Sequence, residues 1–328
     1  MRPRMDMQQT TTDTPSQADA LLRVQVSAMR LESPDVLSME LSGIDGLALP
    51  PASPGSHVDV HLRDGLTRPY SVVRGDEGIY VLAVKREPSG QGGSAHVHER
   101  LRVGDVIRVS APRNHFALAD DTGPAVLIAG GIGITPLLPM ARALERAGRS
   151  WRLHYAARGT AAAPFVRELR QLGDRVCLHD SETAGRLDLA TLVAKAEPGA
   201  HFYCCGPAGM LDAFAEATRD LDPARVHMER FGAAALPADA GSFEVRLAKS
   251  NRRVLVKPDM STLDALLEAG VDVDYSCRQG ICGACEVRVL EGIPDHRDEI
   301  LTEAERASNR TMMVCCSRAC SPTLVLDL

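Results

Sequence analysis

The sequence lacks any long uninterrupted apolar run. Its most apolar stretch, residues 124–140, is broken by three glycines and three prolines, whereas a bilayer-spanning helix needs about 20 mostly apolar residues. The N-terminal residues have arginines but no apolar core like that of a signal peptide, and their Thr, Gln, Asp and Ser content predicts a disordered tail over residues 1–19. We therefore expect no membrane association.

The sequence also lacks a large excess of either sign of charge. The 328 residues carry a formal net charge of −6 with no block of like charge. Nucleic-acid binding needs a basic patch that neutralises phosphates, so a nucleic-acid partner is excluded. The ten histidines are scattered, and we interpret His96 and His98 as surface or packing residues rather than ligands. No acid–base dyad is assigned.

Cysteine, in contrast, is patterned. Four residues separate the first two cysteines of a C-terminal group, two separate the next pair, and twenty-nine precede the last. This is the plant-type spacing of a [2Fe–2S] cluster, in which each iron takes two cysteine sulfurs. Gly280 and Gly283 allow backbone N–H groups to approach those sulfurs. The predicted ligands are Cys277, Cys282, Cys285 and Cys315.

Other uses of these cysteines fit less well. Structural zinc usually takes two short-spaced pairs, and disulfides belong to secreted chains. Cys316 stands beside Cys315, so the fourth ligand needs a choice, and plant-type ferredoxin sequences align Cys315 with the ligand. The other cysteines would be unpaired thiols, which favour a reducing compartment, the cytoplasm.

Two further patterns divide the rest of the chain. Residues 20–120 alternate apolar and polar residues in short strands, which predicts an antiparallel β-barrel domain. It contains Arg68-Pro69-Tyr70-Ser71, and Gly90-Gln91-Gly92-Gly93-Ser94 running into a helix over 94–101. An arginine fork and a glycine-rich helix start together indicate a phosphate site.

Residues 121–232 alternate strands with helices, which predicts a doubly wound α/β nucleotide domain. The apolar strand at 125–129 leads into a loop, Gly130 to Pro136, in which Pro136 replaces the third glycine of the dinucleotide fingerprint. A second loop, Cys205-Gly206-Pro207, follows the strand at 201–204. Residues 233–241 form a predicted linker, and 242–328 a predicted α+β ferredoxin domain.

Five motifs resemble those of the phthalate dioxygenase reductase family, to which the vanillate O-demethylase and phenoxybenzoate dioxygenase reductases are similar. They are Arg68-Pro69-Tyr70-Ser71, Gly131-x-Gly133-x-x-Pro136, Cys205-Gly206-Pro207, Glu229-Arg230-Phe231 and the C-terminal cysteines. The resemblance covers nearly the whole chain after the tail. It implies an NADH-dependent oxidoreductase that passes electrons through FMN and a [2Fe–2S] cluster to a Rieske-type oxygenase. We expect a monomer.

The resemblance also implies residue roles. The flavin phosphate is assigned to Arg68, Ser94 and the Gly92–Gly93 backbone. The flavin ring is assigned to Tyr70 and Ser71, with Phe231 against it and Val84 and Lys85 along its edge. Pro69 is also assigned to flavin binding. The nicotinamide and pyrophosphate are assigned to Gly131, Gly133, Thr135, Pro136, Cys205, Gly206 and Pro207.

Some alternatives stay open at this point. FAD could replace FMN in a reductase that serves another hydroxylase, although the Gly-Gly-Ser helix start favours FMN. A non-enzymatic iron–sulfur sensor would leave both nucleotide loops unexplained. Arg158 after the second nucleotide-domain strand favours NADPH by the local rule, whereas the resemblance favours NADH, which we choose. Asp180 is a candidate contact for the adenosine side.

Overall fold

The computed structural model describes residues 21–63, 66–76, 78–88, 92–159, 163–232 and 241–328. The predicted tail, Gly90 and Gln91 of the predicted phosphate loop, and residues 233–240 of the predicted linker lie outside these ranges.

The first unit is a closed antiparallel barrel with strand order β1-β2-β5-β4-β3-β6. Its elements are β1 (Leu22–Ser33), β2 (Val36–Gly43), β3 (His57–Arg63), β4 (Leu66–Arg74), β5 (Ile79–Lys85), α1 (Gly93–Glu99) and β6 (Val106–Val109). β1 extends beyond the predicted residues 22–26. The prediction stops short because the register of β1 shifts between Val26 and Ala28, which breaks the alternation of apolar and polar residues. The barrel core contains Val58 and Val60 of β3.

The second unit is a five-stranded parallel sheet with order β11-β10-β7-β8-β9. Its elements are β7 (Ala125–Gly130), α2 (Ile134–Arg146), β8 (Trp151–Ala157), α3 (Val166–Leu169), β9 (Val176–Asp180), α4 (Leu189–Ala194), β10 (His201–Cys205), α5 (Ala208–Thr218) and β11 (Val226–Glu229). The central strand β7 is buried on both faces, since Leu127 and Ile128 belong to different core clusters. This explains its uninterrupted apolar sequence.

The order of this sheet places two loops side by side. β7 is paired with both β8 and β10. The chain adds β8 and β9 on one side of β7 and then β10 and β11 on the other, so the strand order reverses between β7 and β10. Ligands of open α/β sheets bind at such a boundary, outside the carboxyl ends of the strands. The loops after β7 and β10 are the two that the sequence singled out.

The third unit joins a five-stranded sheet of order β13-β12-β18-β14-β16 to a small β15–β17 ladder. Its elements are β12 (Phe243–Leu247), β13 (Arg253–Val256), α6 (Thr262–Glu268), β14 (Glu286–Glu291), β15 (Pro294–Asp295), α7 (Glu303–Ser308), β16 (Thr311–Met313), β17 (Arg318–Ala319) and β18 (Thr323–Leu326). The predicted fold class of barrel, doubly wound α/β unit and α+β unit is confirmed. The predicted domain boundaries remain predictions.

Candidate functional site

Arg68 on β4 crosses the start of α1. A Cβ on Gly93 would lie 2.7 Å from Arg68 Cγ, so only glycine allows the arginine side chain to pass this closely. The side chain is buried, and its Nη1 donates to the Thr67 carbonyl at 2.7 Å. Burial lowers the pKa of the guanidinium below its ordinary value. The helix start and the arginine fork therefore share one location, as a phosphate site requires.

The neighbouring polar groups are also held in place. Ser94 Oγ accepts the Glu87 N–H at 3.0 Å, which leaves its own hydroxyl proton for a ligand. Burial raises the pKa of the Tyr70 hydroxyl to about 12. Val84, in contrast, packs its side chain in the barrel core, while its carbonyl contacts His98 Nε2 at 2.9 Å.

The two nucleotide loops pack directly against each other. A Cβ on Gly133 would lie 2.1 Å from the Cys205 carbonyl oxygen, so glycine is required for this approach. Thr135 Oγ1 donates to the Ile132 carbonyl at 3.0 Å and closes the first turn before α2. The Cys205 side chain is fully buried, and burial raises the pKa of its thiol well above the ordinary value. It lies behind the loop rather than on its open side.

A cleft of about 660 Å³ joins these features. Thirteen of the predicted flavin and NAD residues line it: Arg68, Pro69, Tyr70, Ser71, Lys85, Gly93, Ser94, Gly131, Gly133, Thr135, Gly206, Pro207 and Phe231. Four predicted residues do not line it: Val84, Gly92, Pro136 and Cys205. Val84 and Cys205 are fully buried in core clusters, and Pro136 is buried in the first turn of α2.

Several lining residues were not predicted from the sequence. Gln279 and Ile281 belong to the loop that carries the cysteines, so all three units reach the same cleft. Arg230 links the second unit to the third. Its Nε lies 3.4 Å from Glu299 Oε1, and the Glu299 N–H donates to the Gly280 carbonyl of the cysteine loop. The only sequence signal for these residues was their position beside recognised motifs.

A smaller cavity of about 60 Å³ lies beside the cleft. The two share five lining residues: Pro69, Ser71, Arg230, Phe231 and Ile281. Glu229 lines it, and burial raises the pKa of this carboxyl to about 8. Within the described ranges its Oε2 has no hydrogen-bond partner. His57, also in the lining, is kept neutral because burial and Arg113 lower its pKa to about 4.

The four predicted cysteine ligands form two hydrogen-bonded pairs, Cys277 with Cys282 and Cys285 with Cys315. Cys277 donates through its backbone N–H to Cys282 Sγ at 3.5 Å, and the two side chains are hydrogen-bonded. Cys285 is paired in the same way with Cys315. The donors from Cys277 lower the pKa of Cys282 to about 6. Cys316 Sγ donates to the Met313 carbonyl, 3.6 Å away, and its side chain is also hydrogen-bonded to that of Cys315.

This pairing fits a dinuclear cluster. Two thiols for each of two irons is the ligand set of a [2Fe–2S] cluster. The Gln279 N–H, 3.2 Å from Cys277 Sγ, supplies the backbone hydrogen bond to sulfur that such sites use.

Comparison with known proteins identifies the family. Residues 245–320 match the model of the 2Fe-2S iron-sulfur cluster binding domain. Phenoxybenzoate dioxygenase subunit beta of Ectopseudomonas oleovorans is 49% identical over 94% of this chain and 98% of its own length. The solved structure of phthalate dioxygenase reductase superposes with a TM-score of 0.75, at 37% identity, over 95% of this chain and 99% of that one.

The chain belongs to the phthalate dioxygenase reductase family. Vanillate O-demethylase oxidoreductase of Pseudomonas sp. (strain HR199 / DSM 7063), a further relative, is 43% identical over 94% of this chain and all of its own length. The resemblance found in the sequence is therefore confirmed, and this member of the family is an oxidoreductase. No helix among the described residues is long and apolar enough to cross a bilayer.

Proposed function

We propose that this reductase takes electrons from NADH and delivers them through FMN and a [2Fe–2S] cluster to a terminal oxygenase. One observation carries the proposal: the β4 motif, both nucleotide loops and the cysteine loop line a single cleft. Three separate redox sites would not need to share a cavity. A chain that relays electrons does, because transfer between centres requires them to be close.

The flavin would be held from its phosphate to its ring. Arg68 supplies a charged fork, and Gly93 and Ser94 supply the start of α1, so a terminal phosphate is bound by charge and backbone donors. Tyr70 lines the cleft beside them, and Phe231, which is 45% exposed, offers an aromatic face. We favour FMN, and release of FAD on denaturation would select the alternative.

The nicotinamide would enter between the two glycine loops. Gly131, Gly133 and Thr135 face Gly206 and Pro207 across the switch point of the sheet. Arg158 is exposed, and Thr160 to Ala162 beyond it lie outside the described residues. Asp180 Oδ1 accepts the N–H groups of Gly159 and Glu182, so it orders this turn. NADH remains our choice of coenzyme.

The cofactors supply the redox chemistry when bound: they accept two electrons together as a hydride and pass these electrons on one at a time. The protein's own contribution is orientation. Ser71, 6% exposed, places its hydroxyl at the wall shared by the cleft and the small cavity. Ile281 and Gln279 bring the cysteine loop to the same wall. Acid–base catalysis by the protein is not needed for this relay.

The partner is proposed from the relatives. Phenoxybenzoate dioxygenase and vanillate O-demethylase are named for oxygenase systems, and we propose a Rieske-type oxygenase as the acceptor for this chain. We also propose a monomer. Free cysteines throughout the described chain favour the reducing cytoplasm as its location.

The test uses the purified holoprotein. Extraction should release FMN, and addition of NADH should give the EPR signal of a reduced [2Fe–2S] cluster. NADH oxidation should then couple to product formation by an added Rieske-type oxygenase with its own substrate. Absence of either the flavin or the EPR signal would contradict the proposal. Reduction of the cluster without transfer to any oxygenase would restrict it to another acceptor.

A further inference from the structure

Asp59 lies where the barrel meets the cysteine loop. Its neighbours Val58 and Val60 point into the barrel core, so strand alternation directs Asp59 outward. Such a position is normally solvated, yet Asp59 is only 3% exposed. In the β3–β4 ladder it stands opposite Pro69, between Arg68 and Tyr70 of the proposed flavin strand.

Its carboxylate is held by two units of the protein. Oδ2 accepts a hydrogen bond from Ser276 Oγ at 3.2 Å, and Ser276 directly precedes Cys277. Oδ2 also lies 2.7 Å from Nη2 of Arg113, an ion pair within the barrel unit. Oδ1 is buried and has no hydrogen-bond partner among the described residues. A carboxylate in this setting acts over a short distance with little screening by water.

We propose that Asp59 positions the cysteine loop against the flavin strand and lowers the reduction potential of the [2Fe–2S] cluster. This inference rests on the proposed function, because it presupposes a flavin and a cluster at these sites. The Ser276 hydrogen bond fixes the residue next to the first ligand. The fixed negative charge opposes the addition of an electron to the neighbouring centre, since charge near a cluster sets its potential.

Two substitutions separate the two roles. Asp59→Asn keeps an acceptor for Ser276 and removes the charge, so the cluster's midpoint potential should become more positive in an EPR-monitored redox titration. Ser276→Ala keeps the charge and removes the hydrogen bond. It should leave the potential unchanged and slow reduction of the cluster by the bound flavin about tenfold in stopped-flow experiments, the equivalent of one charge-assisted hydrogen bond.

Matched controls make the result specific. Asp76, beyond the far end of β4, has a 56% exposed side chain, and Asp76→Asn makes the same change in charge without the burial. It should leave the potential at the wild-type value. Arg113→Gln removes the positive partner of Asp59 and should shift the potential in the opposite direction, to more negative values. This second shift can be measured even if Asp59→Asn does not fold.

The outcomes separate this inference from the proposed function. A wild-type protein without a [2Fe–2S] EPR signal would overturn the proposed function itself. A normal signal with an unshifted potential in Asp59→Asn, or with shifts of the same sign in Asp59→Asn and Arg113→Gln, would overturn the tuning role. A wild-type rate of cluster reduction in Ser276→Ala would overturn the positioning role.

Discussion

The cysteine loop and the cleft are built in different ways. Three of the four predicted ligands lie between Cys277 and Cys285, and the fourth follows in the same unit. The cleft instead draws on β4, the loops after β7 and β10, and the cysteine loop. Retention of a cluster whose ligands lie in one unit should depend mainly on that unit, whereas a site assembled from three units should also depend on how they pack. Substitutions can test this difference.

The largest expected effect is loss of the cluster. Cys277→Ser, Cys282→Ser, Cys285→Ser or Cys315→Ser should abolish it, because each thiolate holds iron. Electron delivery to the oxygenase should stop, while NADH oxidation with a small artificial acceptor persists. EPR and acceptor assays would show this. Cys320→Ser changes an exposed cysteine and serves as the control. Loss of the cluster in Cys316→Ser but not in Cys315→Ser would reverse the ligand assignment.

Gly133→Ala should damage the cleft and spare the cysteine loop. The new Cβ would meet a backbone oxygen 2.1 Å away, which cannot move aside as a side chain can. Overpacking of this kind costs about 1–3 kcal/mol or more, and we expect NADH oxidation to fall with every acceptor while the cluster spectrum persists. Gly93→Ala is the comparison: its Cβ would lie 2.7 Å from Cγ of the buried Arg68 side chain, so it should displace Arg68 and weaken flavin binding rather than disturb the two nucleotide loops. Equal activity of Gly133→Ala and wild type would contradict the packing argument.

Glu229 should make stability depend on pH. Its pKa in the folded protein is raised from 4.5 to about 8 by burial, so the native state holds a proton that the unfolded chain releases. Stability should therefore fall as pH rises from about 4.5 to 8, by at most about 1.4 kcal/mol per pH unit. Glu229→Gln should remove this slope. Its thermal unfolding midpoint should lie above that of the wild type at pH 8, with no such gain near pH 5.

The matched control for this experiment is Glu216→Gln, whose side chain is 69% exposed. Its unfolding midpoints should follow those of the wild type at both pH values. A wild-type slope in Glu229→Gln would assign the pH dependence to another group.

Arg68→Ala should weaken flavin binding without affecting the cluster. Removing a charge-assisted contact to phosphate costs about 1.5–3 kcal/mol, so the dissociation constant of FMN should rise about tenfold or more. Fluorescence titration of the flavin-free protein measures it. Unchanged flavin retention after extensive dialysis would count against this phosphate site.

The smallest expected effect is at Arg158. An isolated exposed arginine contributes about 0–1 kcal/mol, so Arg158→Ala should change kcat/KM for NADH by less than about fivefold, and NADH should remain preferred to NADPH. Steady-state kinetics with both coenzymes test this. A kcat/KM for NADPH equal to or above that for NADH would place Arg158 in a 2′-phosphate site.

The sequence-predicted residues that line the cleft are those coded by short motifs. The β4 motif lines the cleft from within a strand, and the two loops line it because they follow the ends of β7 and β10. Val84 is an exception, since alternation along β5 turns its side chain inward and leaves Ala83 and Lys85 in the lining. The Asp59–Ser276 contact joins residues 217 positions apart and has no local signature, because it depends on which surfaces of two units meet.

The position of β18 has a consequence for how the protein is made. This strand lies at the centre of the third sheet, between β12 and β14, although it is the last element along the described chain. Chains fold from the N-terminal side during translation, so the barrel and nucleotide units can form early. All four cysteines leave the ribosome before the strand that completes their sheet. We therefore expect iron and sulfide to be incorporated only after translation has passed residue 326, and nascent chains stalled earlier to carry reactive thiols.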